Sequence, residues 1–201
     1  MTEIMTKRDL YIDFDSTLVM SDKSFARMYN EKYKDDPEFV KADWTKHWSW
    51  SYSRICPLLH KYFDDPHLIT REYYNSEEFF VHLEFFPDAK ETVEKLSEKF
   101  NVIICTSAFP KNAARKVLWI EEHLPLVDEI IILINKSGQG VGKARVPMME
   151  PEAIFIDDHP VNLHSTKASE KYLFKSHETD YSQDWDGAIF CNWKEIGQAL
   201  L

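Results

Sequence analysis

A chain of 201 residues with 44% hydrophobic content is sized for one globular domain, or for one domain carrying an insertion. Its formal net charge of −10 argues against duplex nucleic acid or an anionic membrane surface as a partner. A polar N-terminus, no run near ~20 apolar residues, and three scattered cysteines with neither zinc nor disulfide spacing predict a reduced, cytoplasmic protein.

The first element is a strand over residues 8–14, an apolar run that ends in acid. A helical and aromatic stretch follows from residue 23 to about residue 60, with Phe25, Tyr29, Tyr33, Trp44, Trp48, Trp50, Tyr52 and then Tyr62. A helix opens after Asp88, with acidic groups in its first turn. Short apolar runs at 101–105, 129–134 and 153–156 read as buried strands, with a helix over 111–119 between the first two. Residues 172–174 and 188–190 read as edge strands, and 193–201 as a terminal helix. This alternation predicts an α/β protein: a Rossmann-like parallel sheet with flanking helices. Roughly 80 residues separate the first strand from the second, far more than a crossover helix needs. That excess predicts a mostly helical insertion over residues 20–86, inside a core formed by 1–19 and 87–201.

The strand ends carry the chemistry. The first runs into Asp13-Phe14-Asp15-Ser16-Thr17, and charge at a buried strand end calls for compensation, usually by a cation. The second ends in Thr106-Ser107, and the fourth in Asp157-Asp158. A loop carrying Lys136 and Lys143 follows the third. In an open parallel sheet, ligands bind beyond the carboxyl ends of the strands. Four such ends gather Asp13, Asp15, Thr17, Thr106, Ser107, a lysine, Asp157 and Asp158 around one crevice. Each piece alone has a plainer reading, as a solvated acidic turn or a helix cap. Their joint occurrence is the informative signal.

In this order, and along the whole chain, these motifs resemble those of the haloacid dehalogenase-like hydrolase superfamily. The Asp-x-Asp-x-Thr form resembles its phosphatase branch. Residues 79–89, leading to Ile103-Ile104-Cys105-Thr106-Ser107-Ala108, and the Ile156-Asp157-Asp158 ending are similar to the 5′(3′)-deoxyribonucleotidases. The resemblance implies a magnesium-dependent phosphomonoesterase that works through an aspartyl phosphate on a small phosphorylated substrate, a 5′-nucleotide or deoxynucleotide. A small-metabolite (sugar phosphate) phosphatase, a phosphomutase or a catalytically silent binding protein are the competing readings. Asp13 is then the nucleophile, and Asp15 the general acid and base, oriented by Thr17. Mg2+ is held by Asp13, the Asp15 backbone carbonyl and Asp158, with Asp157 behind them or paired with a lysine. Thr106 and Ser107 bind phosphate near a helix N-terminus, assisted by Lys143 in preference to Lys136. The insertion becomes a cap over the site. Trp44 and Trp48 share a helix face there, and with Arg54 they are candidate substrate contacts. The remaining cap aromatics are either the cap's own core or a base-stacking surface.

Overall fold

The computed structural model describes residues 7–46, 52–134, 151–177 and 184–201. Six strands, β1 (Arg8–Ile12), β2 (Phe100–Ala108), β3 (Glu129–Ile134), β4 (Ile154–Asp157), β5 (Glu170–Phe174) and β6 (Ala188–Phe190), form one sheet in the order β3-β2-β1-β4-β5-β6. Every pairing is parallel, and Ile12 lies between Ile104 of β2 and Ile156 of β4. The central strands are apolar on both faces because both faces are covered, as a parallel sheet requires. Leu10 and Ile12 enter a large core with Phe14, Val93, Leu96 and Trp193. Tyr11, pointing the other way, joins Ile103, Phe155, Leu163 and Leu173 on the opposite face.

Among the described residues, five α-helices lie between β1 and β2: α1 (Ser21–Tyr33), α2 (Leu58–Tyr62), α3 (Pro66–Tyr74), α4 (Glu77–Val81) and α5 (Ala89–Leu96). The two chain segments flanking α1–α4 pair with each other. Met20 N donates to Glu84 O at 2.8 Å and Phe86 N to Leu18 O at 3.1 Å, around an antiparallel bridge of Val19 with Phe85. Ser76 caps α4 by accepting from Phe79 N at 3.1 Å. Beyond the sheet's centre come α6 (Pro110–His123), started by a proline in its first turn, then α7 (Pro160–His164) and α8 (Trp193–Leu200). Phe25, Tyr29, Tyr33 and Tyr52 are buried in the same large cluster as the sheet's upper face, so these aromatics are core. Tyr62 is exposed, while Trp48 and Trp50 lie outside the described residues. No described helix is long and apolar enough to cross a membrane.

Four strands differ from expectation. β4 lies one residue later, at Ile154–Asp157, and β5 starts two residues earlier, at Glu170, and lies between β4 and β6 rather than at an edge. β1 ends at Ile12 rather than Phe14, because the chain winds back on itself there: Leu18 N and Val19 N both donate to Phe14 O at 3.1 Å. β2 runs three residues past Cys105, since β3 continues to pair with it from Cys105–Ile131 to Ala108–Ile134.

Candidate active site

β1 stands where the strand order reverses, with β2 and β3 on one side and β4, β5 and β6 on the other. Crevices form at such points beyond the carboxyl ends of the strands. Asp13 follows β1 directly, and its backbone N donates to Ile156 O of β4 at 2.9 Å. That bond sets Asp13 beside Asp157, the last residue of β4. Carboxylate oxygens of Asp13, Asp157 and Asp158 all lie within 4.8 Å of one another, with Asp13 and Asp157 buried. Asp157 is fixed from behind, its Oδ1 accepting from His159 N and Asn162 Nδ2, both at 2.9 Å. Three crowded carboxylates, two of them buried, repel one another unless protons or a cation intervene. Their hard oxygen donors fit Mg2+.

The carboxylate of Asp15 does not join this cluster. The turn carries it elsewhere, with Ser16 in the left-handed region at φ 57° and Ser16 N bonded to Val19 O at 2.9 Å. A serine held there costs about 1 kcal/mol, tolerated at a site the surroundings over-determine. Ser21 Oγ donates to Asp15 Oδ1 at 2.7 Å, and the Lys116 ammonium donates to Oδ2. Lys116 is fully buried on α6, and it also donates to Thr106 Oγ1 at 2.9 Å and to Ser107 O at 3.0 Å. Its Nζ lies 5.1 Å from the centre of the Phe14 ring.

Thr17 departs from the expected part. Its hydroxyl is buried with no hydrogen-bond partner among the described residues. Ser21 and Lys116 hold Asp15 instead, and the Thr17 contribution is its backbone carbonyl, which accepts from Trp193 Nε1 at 2.9 Å. Thr106 and Ser107 sit inside β2, not at a helix start, because α6 begins only at Pro110. Lys136 and Lys143 lie outside the described residues, as does Trp48. Arg54 is exposed in a short turn of 3₁₀ helix, Tyr52–Arg54. Trp44 is partly buried and meets His177 edge-on, the ring centres 6.2 Å apart.

Lys116 is the residue that sequence reasoning missed. The signal was available: Asn112, Ala113, Lys116, Trp119 and Ile120 are the buried residues of α6, so a lysine occupies the helix's inward stripe. Tyr74 is a second. It is only partly buried overall, yet protein packs densely around its hydroxyl. That burial first, and then the negative charges of Asp15 and Asp22, hold its pKa well above the ordinary phenol range. Burial likewise pushes up Tyr52, whose hydroxyl contacts that of Tyr74 at 2.7 Å.

Residues 7–201 match the family model described as 5′ nucleotidase, deoxy (pyrimidine), cytosolic type C protein. A 5′(3′)-deoxyribonucleotidase of Clostridium acetobutylicum is 30% identical over 177 residues, covering 86% of this chain and 84% of that one. Among solved structures, a haloacid dehalogenase-like hydrolase of Streptococcus pneumoniae superposes with a TM-score of 0.63 at 18% identity, over 97% of this chain and 99% of its own. A haloacid dehalogenase-type hydrolase of Bacillus subtilis bound to magnesium gives 0.62 at 12% identity, over 97% and 99%. Those two likenesses concern the fold. The match along nearly the whole chain decides the family: the protein belongs to the cytosolic type C 5′(3′)-deoxynucleotidases, and is a phosphatase of the haloacid dehalogenase-like superfamily.

Proposed function

We propose that the protein hydrolyses a nucleoside 5′-monophosphate, of the deoxy series by its family, through a phosphoryl group carried on Asp13. The observation that carries this reading is the convergence of Asp13, Asp157 and Asp158 one turn away from an Asp15–Lys116 pair. Asp15 takes a proton from the substrate's phosphoryl monoanion on binding. Asp13 Oδ then attacks phosphorus, and the bond to the leaving oxygen breaks as that oxygen takes the proton from Asp15. Asp15 next takes a proton from water, whose oxygen attacks phosphorus and breaks the bond to Asp13. Orthophosphate leaves with that proton, and both carboxylates return to their starting states. A magnesium ion held by Asp13, Asp157 and Asp158 supplies charge neutralisation for the phosphoryl oxygens when bound.

Lys116 places fixed positive charge between the proton-transferring acid and the β2 end, where Thr106 and Ser107 lie. It takes the charge-neutralising part, within the described residues, that the sequence reading gave to Lys143 or Lys136. Residues 20–86 serve as the cap that excludes water and chooses the leaving group. Trp44 is the described aromatic best situated for a base, since it is only partly packed and borders His177.

The test is a turnover screen of the purified protein against 5′- and 3′-nucleoside monophosphates, ribo and deoxy, and sugar phosphates. Hydrolysis of the deoxynucleotides with the highest kcat/KM is expected. Activity confined to sugar phosphates or a mutase reaction refutes the nucleotide part. Asp13→Asn is expected to lower kcat by at least about 10³-fold, and full activity in that variant refutes the covalent mechanism.

A further inference from the structure

We propose that Asp22 is a charge filter on the leaving-group side of the site. It admits neutral leaving groups that carry hydroxyl or N–H donors, and repels those that carry a carboxylate or a second phosphate. The proposal rests on the phosphomonoesterase reading above and narrows its substrate class. Ser21 and Asp22 open α1, and Ser21 Oγ donates to Asp15 Oδ1 at 2.7 Å. Asp22 therefore begins one residue from the side chain that holds the proton-transferring acid.

The residue is only 5% exposed, and side chains from two other segments reach its carboxylate. The Tyr52 hydroxyl donates to Asp22 Oδ1 at 2.6 Å. With that proton committed, the 2.7 Å contact between the Tyr52 and Tyr74 hydroxyls has Tyr74 donating. His177 Nε2, on the segment after β5, lies 3.6 Å from Oδ2. Trp44 meets that imidazole edge-on. A line of oxygens thus runs from Asp22 through Tyr52 to Tyr74, the last residue of α3.

The setting is otherwise aromatic. Phe25 stacks on Tyr52 with ring centres 3.8 Å apart, and Tyr73 and Tyr74 pack around Phe25. A carboxylate in such a place costs free energy that an apolar side chain of the same size avoids. What it offers in return is selection. In a crevice of low dielectric, a second negative charge brought nearby is strongly disfavoured. A sugar hydroxyl or a base N–H is welcomed as a charge-assisted donor. A nucleoside has such donors and no charge, whereas the glycolate released from phosphoglycolate is an anion.

The experiment compares two matched pairs of substrates: a deoxynucleoside 5′-monophosphate with its 3′,5′-bisphosphate, and glycerol 2-phosphate with phosphoglycolate. In each pair the wild type is expected to favour the uncharged leaving group. Asp22→Asn, and independently the smaller Asp22→Ser, are expected to shift the kcat/KM ratio at least tenfold toward the anionic member. Tyr52→Phe keeps the charge and is expected to leave the ratio in place while lowering both rates. A ratio unmoved by the Asp22 variants overturns the filter, as does an equal shift in Tyr52→Phe. If the wild type turns over only the glycerol and glycolate pair, the nucleotide reading falls, and that pair still decides the filter. Turnover of none of the four overturns both.

Discussion

A lysine with no solvent exposure is expensive to bury unless its ammonium donors are met, and at Lys116 three oxygens meet them, from Asp15, Thr106 and Ser107. Asp15 keeps 19% of its side-chain surface exposed, so it survives the loss of its partner better than Lys116 does. Lys116→Met fills the same space without charge but leaves the Asp15 carboxylate, Thr106 and Ser107 without that donor, so it is expected to lower the melting temperature, moderated by the solvent that Asp15 keeps. Its kcat is expected to fall about 10²–10³-fold, the usual effect of removing one group that neutralises developing charge. Calorimetry beside steady-state kinetics checks both halves. At this scale the acids were legible from sequence, because Asp13, Asp15, Asp157 and Asp158 sit at the ends of apolar runs. The roles of Lys116 and Ser21 were not, because each reaches Asp15 from a helix, and only tertiary packing brings helix faces to strand ends.

α6 joins the site to the segment between β1 and α5. One turn before Lys116, the Asn112 side chain donates to Tyr74 O at 2.6 Å and its backbone N donates to Asn75 Oδ1 at 3.0 Å. Arg115 donates to Asn75 O at 2.6 Å and pairs with Glu77 at 2.9 Å. The α3–α4 junction is therefore fastened to the helix that carries the buried lysine. Opposite it, Glu84 gathers Lys23 and Arg27, each at 2.5 Å, beside the paired linkers. The hydrogen bond from Lys23 is the main cause holding the Glu84 carboxyl below its ordinary value of 4.5. A depressed folded value means the stabilisation is present above the unfolded pKa, and is lost as pH falls through the folded one. With Glu84 partly exposed, the contribution is about 1 kcal/mol or less. Glu84→Gln is expected to lower the melting temperature slightly near pH 7, and the gap from wild type is expected to close below about pH 4. A gap that persists at low pH rules the ion pairs out as its source. The strand and helix sequence was legible because continuous apolar runs mark a parallel sheet. The far end of β2 was not, since Thr106 and Ser107 look like loop residues until β3 pairs with them.

Across the whole molecule, one sheet of six parallel strands sets the acids of β1 and β4 side by side. The same core then continues through Phe25, Tyr29 and Tyr52. A cation held by Asp13, Asp157 and Asp158 would tie two strand ends together, so its binding is expected to appear as stability as well as turnover. EDTA is expected to abolish activity and Mg2+ to restore it. Saturating Mg2+ at a hundred times its dissociation constant adds about 2.7 kcal/mol to folding. Asp157→Asn is expected to remove most of that thermal shift, and an undiminished shift in the variant contradicts the site. A different consequence follows from the indole of Trp193, which fastens the carbonyl of Thr17 across 176 residues of sequence. The turn bearing the proposed nucleophile is made before the helix that fastens it. A nascent chain that still lacks α8 carries the acids of this turn without the brace that holds their backbone, so hydrolysis is expected only once α8 has emerged.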